Sequence, residues 1–120
     1  MKNLHYNNDI VAFIKEHDKK EALMWVKKEV HVYHDVLTPD MLDALVSIDD
    51  YIDSKINVTQ ARKIAFLMHQ KARESSNLKT TYLYRAIGHA IASIHVKEHA
   101  LRCYDYLIKF NKVNGGNWHD

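Results

Sequence analysis

The 120-residue sequence has little of what interrupts regular structure or cross-links a chain: one cysteine, one proline and three glycines. A lone cysteine, Cys103, cannot form a disulfide within the chain, which favours a reducing compartment. So few glycines and prolines leave little material for the many turns of an all-β fold. No apolar run approaches the roughly 18 residues of a membrane span, and the N-terminus is not signal-like. We therefore expect a cytoplasmic, all-α protein with no membrane segment.

Several functional classes also lack their sequence signatures. There is no glycine-rich phosphate loop, and the basic residues are dispersed without a nucleic-acid recognition motif. The aspartates between residues 40 and 53 lack the central glycine that an EF-hand loop needs. We therefore expect no nucleic-acid partner and no cofactor.

Hydrophobic residues recur at helical spacing along most of the chain, which predicts five or six helices. Local signals mark several starts: Asp18 and Glu21 have capping-box spacing, Thr38 and Pro39 suit a cap and a first helical position, and Thr59 can cap a fourth helix. The predicted helices cover about residues 9–17, 18–36, 39–54, 60–75, 80–95 and 97–112. Residues 113–120 are predicted to be a loose tail.

The fifth helix, about residues 80–95, has the features of a buried central helix. No residue between Arg85 and Lys97 carries a fixed charge, and apolar or small side chains occupy every face of the helical wheel. Gly88 lies in its interior, where glycine is accepted mainly if another backbone comes close, as at a tight helix crossing. The sequence thus predicts a single domain over residues 1–120, a compact bundle of five to six helices around this one. Whether helices five and six are separate stays open.

Acidic residues concentrate on the third predicted helix. Asp40, Asp43, Asp49, Asp50 and Asp53 occur there with no intervening Lys or Arg. A solvated surface is the simplest interpretation of such a run. The functional alternative is a surface for a basic partner, formed by Asp40, Asp43, Asp50 and Asp53.

Histidines provide the one group of residues that could support chemistry. His69 and Arg73 lie four residues apart on the fourth helix, and the short connection after it makes helices four and five antiparallel neighbours. His69 should therefore lie near the level of residues 86–89. This places His69, Arg73 and His89 in one neighbourhood.

His95 and His99 have the spacing of half a helical zinc site, but Val96 occupies the place of the usual glutamate. Three interpretations remain open for the histidines: structural hydrogen bonding, a metal site at His95 and His99, and acid–base catalysis. The structural interpretation is favoured, with Arg73 or Glu98 as the expected partners of the rings.

The segment from Arg85 to Ala100, RAIGHAIASIHVKEHA, resembles a family of small all-helical bacterial proteins assigned as immunity proteins of polymorphic toxin systems. The resemblance covers about residues 18–112, and Lys97 stands where the family often has proline. It implies an all-helical fold and a non-enzymatic protein that binds and neutralises a cognate toxin. The positions that match the family's motif are His69, Arg73, Gly88, His89, His95 and His99.

Two hypotheses about function follow from the sequence. The first is a toxin-binding immunity protein, which could also form a homodimer. The alternative is a small metal- or histidine-dependent helical enzyme that uses His69, His89, His95 and His99, with Glu98 in the same segment.

Overall fold

The computed structural model describes residues 2–115, with side chains from residue 8 onward. Its elements, in chain order, are α1 (Lys2–Glu16), α2 (Lys19–His31), a 3-10 helix (His34–Val36), α3 (Pro39–Ile52), α4 (Val58–Glu74), α5 (Leu78–Ala92) and α6 (His99–Val113). No strand occurs within residues 2–115, which confirms the all-α bundle. Nor is any helix in that part of the chain long and apolar enough to cross a membrane. Most of the predicted tail, residues 116–120, lies outside the described residues.

Side-chain caps determine where several helices begin. The Asp18–Glu21 capping box is confirmed: the Glu21 amide donates to the Asp18 carboxylate at 2.9 Å, and the Asp18 amide donates to Glu21 at 3.3 Å. The predicted cap at Thr59 is wrong, because Asn57 and Gln60 form the reciprocal pair at 2.8 Å in both directions. Helix α4 therefore begins earlier than the hydrophobic pattern indicated.

Helix ends differ more from the prediction. The second helix was expected to reach residue 36 but ends at His31, and the first extends back to Lys2. Helices α5 and α6 are separate, because residues 93–98 form turns. Lys97 secures this break by donating from its ammonium to the backbone carbonyls of Lys15 at 3.3 Å and His17 at 2.6 Å. A cation there also suits the negative C-terminal end of α1.

Helix α5 lies at the centre of the bundle, as predicted, with its most extensive contacts to α4 and α6. Its buried residues are Leu83, Ala86, Ile87, Gly88, Ala90 and Ile91. Gly88 is closely approached, but the nearest atoms belong to a side chain rather than to the expected backbone. A Cβ at this position would lie 2.7 Å from Nε2 of His69 on α4, which is closer than carbon and nitrogen can pack. A side chain at this position would therefore have to displace the imidazole ring of His69.

Candidate functional site

Three histidines from three helices meet beside Gly88. His69 comes from α4, His89 from α5, and His99 is the first residue of α6. The ring centres of His69 and His89 are 4.6 Å apart with the rings nearly perpendicular, whereas His89 and His99 lie 5.2 Å apart and nearly parallel. The antiparallel pairing of α4 and α5 and the break before α6 together create this three-histidine cluster (His69, His89, His99).

Arg85 fixes the protonation of the first ring. Its Nη1 lies 2.9 Å from Nδ1 of His69. A guanidinium group can only donate hydrogen bonds, so the Nδ1 atom must accept. His69 is therefore a neutral imidazole with its hydrogen on Nε2, the atom that faces Gly88.

The other two rings bond to each other. Nδ1 of His89 and Nδ1 of His99 are 3.0 Å apart, so one nitrogen donates and the other accepts. The accepting ring must be neutral, and the pair cannot be two imidazolium ions. Tyr106 of α6 stacks on His89 with its ring centre at 5.6 Å and an interplanar angle of 9°. Aromatic packing and one hydrogen bond thus hold α5 against α6.

The surroundings of the cluster disfavour positive charge. Burial, with Arg85 and the other cationic groups nearby, lowers the pKa of His69 from 6.5 to about 4. Burial and the neighbouring histidines lower the pKa of His89 to about 3, and burial also lowers the pKa of His99. All three rings are therefore neutral at neutral pH.

This arrangement is poorly suited to catalysis. A general base works best with a pKa near the working pH, and rings with pKa values of about 3 and 4 are weak bases. Burial raises the pKa of the Cys103 thiol, which is fully buried and so is no accessible nucleophile. The geometry indicates a packing element that joins α4, α5 and α6.

A metal site receives no support from the side chains that the structure describes. Among them, no three His, Cys, Asp or Glu side chains are grouped so that they could hold a metal ion. The predicted His95–His99 half-site also fails as a helical pair, since His95 lies exposed in the turn before α6 begins at His99. Spacing of four residues implies a shared helical face only where the helix is continuous.

Neither expected partner, Arg73 or Glu98, forms a hydrogen bond to a histidine ring in the described part of the chain, although Arg73 acts on His69 and Glu98 on His99 through charge. Arg73 is exposed on α4, where its guanidinium lies 5.7 Å from the ring centre of Phe66. Glu98 is exposed in the turn before α6. Arg85, which the sequence interpretation did not single out, is the residue that bonds to the cluster. Its position four residues before His89 on α5 was the available signal, because that spacing places both side chains on one face.

Asp40, one member of the predicted acidic surface, is bonded within the fold while its side chain stays 34% exposed. Asp40 accepts hydrogen bonds from Thr38, from the Tyr84 hydroxyl at 2.7 Å and from the Lys71 ammonium at 3.0 Å. Partial burial raises its pKa, but these bonds outweigh that effect and hold the pKa well below its ordinary value. Asp40 therefore joins α3 to α4 and α5.

The other three predicted members keep some contact with solvent. Asp43 and Asp53 are exposed, and Asp50 is half-buried. Their part in binding a partner stays a prediction.

A family model described as "Imm-5 like putative immunity protein" matches residues 12–120, which include every helix from α2 onward and the three-histidine cluster. The chain belongs to this family. The resemblance recognised in the Arg85–Ala100 segment is thereby confirmed. Searches of curated proteins and of solved structures give no match. Membership of an immunity-protein family implies, in general terms, binding to a toxin partner.

Proposed function

We propose that this protein is an immunity protein that binds a bacterial toxin and blocks it through a protein–protein interface, without catalysing a reaction. The observation that carries the proposal is the family match over residues 12–120. The cluster geometry supports it, because the histidine rings are occupied by bonds to Arg85 and to one another. The buried, unpaired thiol of Cys103 agrees with a cytoplasmic location, which is part of the same proposal.

The exposed side of α4 is the proposed toxin-binding surface. Phe66 is 64% exposed there and Leu67 is exposed beside it, with Arg62, Lys63 and Arg73 around them. Exposed apolar groups rimmed by charge mark interaction sites. Aromatic residues and arginines also contribute more than their share of binding energy at interfaces. We call these five residues the α4 surface.

The charges of the α4 surface define the chemistry of its partner. Within the described part of the chain, no Asp or Glu forms an ion pair with Arg62, Lys63 or Arg73. These cations are therefore available to carboxylates of another protein. The matching toxin surface would present acidic groups around an apolar depression that receives Phe66.

The enzymatic alternative has weaker support. It would need the cluster to bind a metal ion or to transfer protons, and its rings are neutral, weakly basic and bonded to each other. Arg85 adds a permanent positive charge that would repel a divalent cation.

Capture of the toxin from the native host, followed by a binding titration, tests the proposal. Phe66→Ala should weaken the captured toxin's affinity by at least about tenfold, as expected for a hot-spot aromatic residue. Lys112→Glu, an exposed charge change on α6, is the matched control and should leave affinity unchanged. Equal affinity of wild type and the Phe66 variant would refute the proposed surface. A captured partner that has no toxic activity would refute the proposed function.

A further inference from the structure

Arg85 is a half-buried cation that forms no ion pair in the described part of the chain. Its one hydrogen bond there is the 2.9 Å contact from Nη1 to Nδ1 of His69. A neutral imidazole fixes the direction of a guanidinium group but carries no charge to balance it. Lys71 differs in this respect, because its ammonium lies 3.0 Å from the Asp40 carboxylate. Arg85 is therefore held in place with its full positive charge.

The guanidinium group of Arg85 has donors that remain free for a ligand. An arginine carries five N–H groups, and the bond to His69 uses one of them. Every fully enclosed side-chain nitrogen and oxygen in the described structure has a hydrogen-bond partner, so solvent reaches the other nitrogens of Arg85. Nε and Nη2 carry parallel N–H groups, which suit a carboxylate that accepts both bonds at once.

The acidic residues on the helices next to Arg85 are engaged elsewhere or lie at a helix end. Helix α5 contains no Asp or Glu, and α4 contains one, the exposed Glu74 at its last position. Asp40 of α3 reaches α5, but its carboxylate accepts hydrogen bonds from the Lys71 ammonium and the Tyr84 hydroxyl. Neither acid is bonded to Arg85.

The acids of α6 and of the turn before it have other charged neighbours. Arg102 and Lys109, both on α6, are the cations that act on Asp105. Glu98 acts on His99, the first residue of α6. A negative charge that balances Arg85 must therefore come from another molecule.

Arg85 lies at the border of the α4 surface. His69 is three residues after Phe66 and four before Arg73, so the three side chains share one stripe of α4. The Arg73 guanidinium lies 5.7 Å from the Phe66 ring centre, and its charge acts on His69. The bond from Arg85 to His69 therefore joins a cation of α5 to the edge of that surface.

We propose that Arg85 receives a carboxylate of the toxin, with His69 as the positioning residue that orients its guanidinium group. This inference rests on the proposed function and deepens it, since Phe66 supplies apolar contact area and Arg85 selects an Asp or Glu side chain. A guanidinium group that is already oriented loses less conformational freedom on binding. Gly88 has a part in the arrangement, because a Cβ there would displace the ring of His69.

Binding titrations with the captured toxin test the role of Arg85. Arg85→Gln removes the charge and the paired N–H groups, so affinity should fall at least about tenfold, as for other interface arginines. Arg85→Lys keeps the charge without the fork, and its affinity should lie between those of wild type and Arg85→Gln. Arg102→Gln makes the same change at an exposed position of α6 and should leave affinity unchanged. Circular dichroism establishes that each variant is folded.

Rescue by charge reversal identifies the contact itself. Arg85→Glu places a negative charge opposite the toxin carboxylate and should weaken binding more than Arg85→Gln does. Each acidic residue of the captured toxin is then changed to lysine in turn. One of these toxin variants should bind Arg85→Glu at least about tenfold more tightly than it binds wild type, because opposite charges meet again. An arginine that only supports the fold gives no such rescue.

The positioning role of His69 needs a separate comparison. His69→Ala should weaken toxin binding, because Arg85 is then no longer oriented. In the Arg85→Gln background the same substitution should cause no further loss of affinity, since the guanidinium group is already absent. Equal losses in the two backgrounds would overturn the positioning role.

Wild-type affinity of folded Arg85→Gln would overturn the proposal, as would the failure of every toxin variant to rescue Arg85→Glu. A loss in Arg102→Gln equal to that in Arg85→Gln would also overturn it, since general attraction would then replace a site. If Phe66→Ala weakens binding while Arg85→Gln does not, the proposed function stands and this inference alone fails. A captured partner without toxic activity refutes the proposed function, whatever its contact with Arg85.

Discussion

Acidification should destabilise the protein through the three-histidine cluster. The folded state holds His69 and His89 neutral, with pKa values lowered to about 4 and about 3. In the unfolded chain these histidines have the ordinary value of about 6.5. The unfolded state therefore binds more protons below that value. The contribution of the two rings to the free energy of unfolding is therefore fully present above pH 6.5 and falls as the pH drops from there toward 4.

The size of the effect follows from these pKa values. One pKa unit corresponds to about 1.4 kcal/mol, and pH 5 lies about 1.5 units below the unfolded value. Each ring that stays neutral in the folded state should thus lower the free energy of unfolding by about 2 kcal/mol at pH 5. For His69 and His89 together the upper value is about 4 kcal/mol. Partial exposure of the rings to solvent screens their charges, so we expect a loss of about 2 to 4 kcal/mol between pH 8 and pH 5.

Urea unfolding followed by circular dichroism at pH 8, 6 and 5 measures this loss. His89→Phe keeps an aromatic ring for Tyr106 to stack on but cannot be protonated, so the difference between pH 8 and pH 5 should shrink by about 1 to 2 kcal/mol. His95→Gln, at an exposed position, is the control and should retain the wild-type difference. Stability that stays constant or rises on acidification would refute the neutral cluster.

Three further predictions concern single contacts. Gly88→Ala should lower the melting temperature, because the new Cβ would lie 2.7 Å from His69. In a His69→Ala background the same substitution should raise the melting temperature, since alanine favours a helix over glycine by about 1 kcal/mol. Equal destabilisation in both backgrounds would contradict the contact. Asp40→Asn should cost about 1 to 2 kcal/mol in urea unfolding at neutral pH. The difference between variant and wild type should shrink progressively as the pH falls from the ordinary carboxyl value of 3.8 toward the lowered pKa of folded Asp40; an equally stable variant at neutral pH would show that the bonds to Asp40 contribute nothing. Elemental analysis of untagged protein should find less than one metal ion per chain, and a stoichiometric metal would revive the enzymatic alternative.

Much of the fold could be predicted because local signals agreed with the hydrophobic period. The Asp18–Glu21 cap, Pro39 at the start of α3 and the apolar faces of the fifth helix each depend on a few neighbouring residues. The approach of His69 to Gly88 followed from one further fact, the short connection between α4 and α5. Such features need only helical geometry and a loop too short to allow another arrangement.

The remaining features depend on how the helices are rotated against each other. Arg85 rather than Arg73 reaches His69 because α4 turns Arg73 toward solvent, and the sequence does not give that rotation. The break between α5 and α6 contains no glycine or proline, so the sequence could not decide whether the two helices are separate. Lys97 holds this break in place by donating hydrogen bonds to the backbone carbonyls of Lys15 and His17, which lie about 80 residues away in sequence. Contacts over such separations appear only in the folded chain.

Growth protection in cells that produce the captured toxin tests most directly whether this protein acts by binding rather than by chemistry. Three chains, expressed at equal folded levels, should be compared: wild type, the double variant Phe66→Ala with Arg73→Glu, and His89→Phe. Our account predicts that wild type and His89→Phe restore growth while the α4 double variant does not, because protection depends on the α4 surface and the cluster only supports the fold. Full protection by the α4 double variant, together with none by folded His89→Phe, would contradict it.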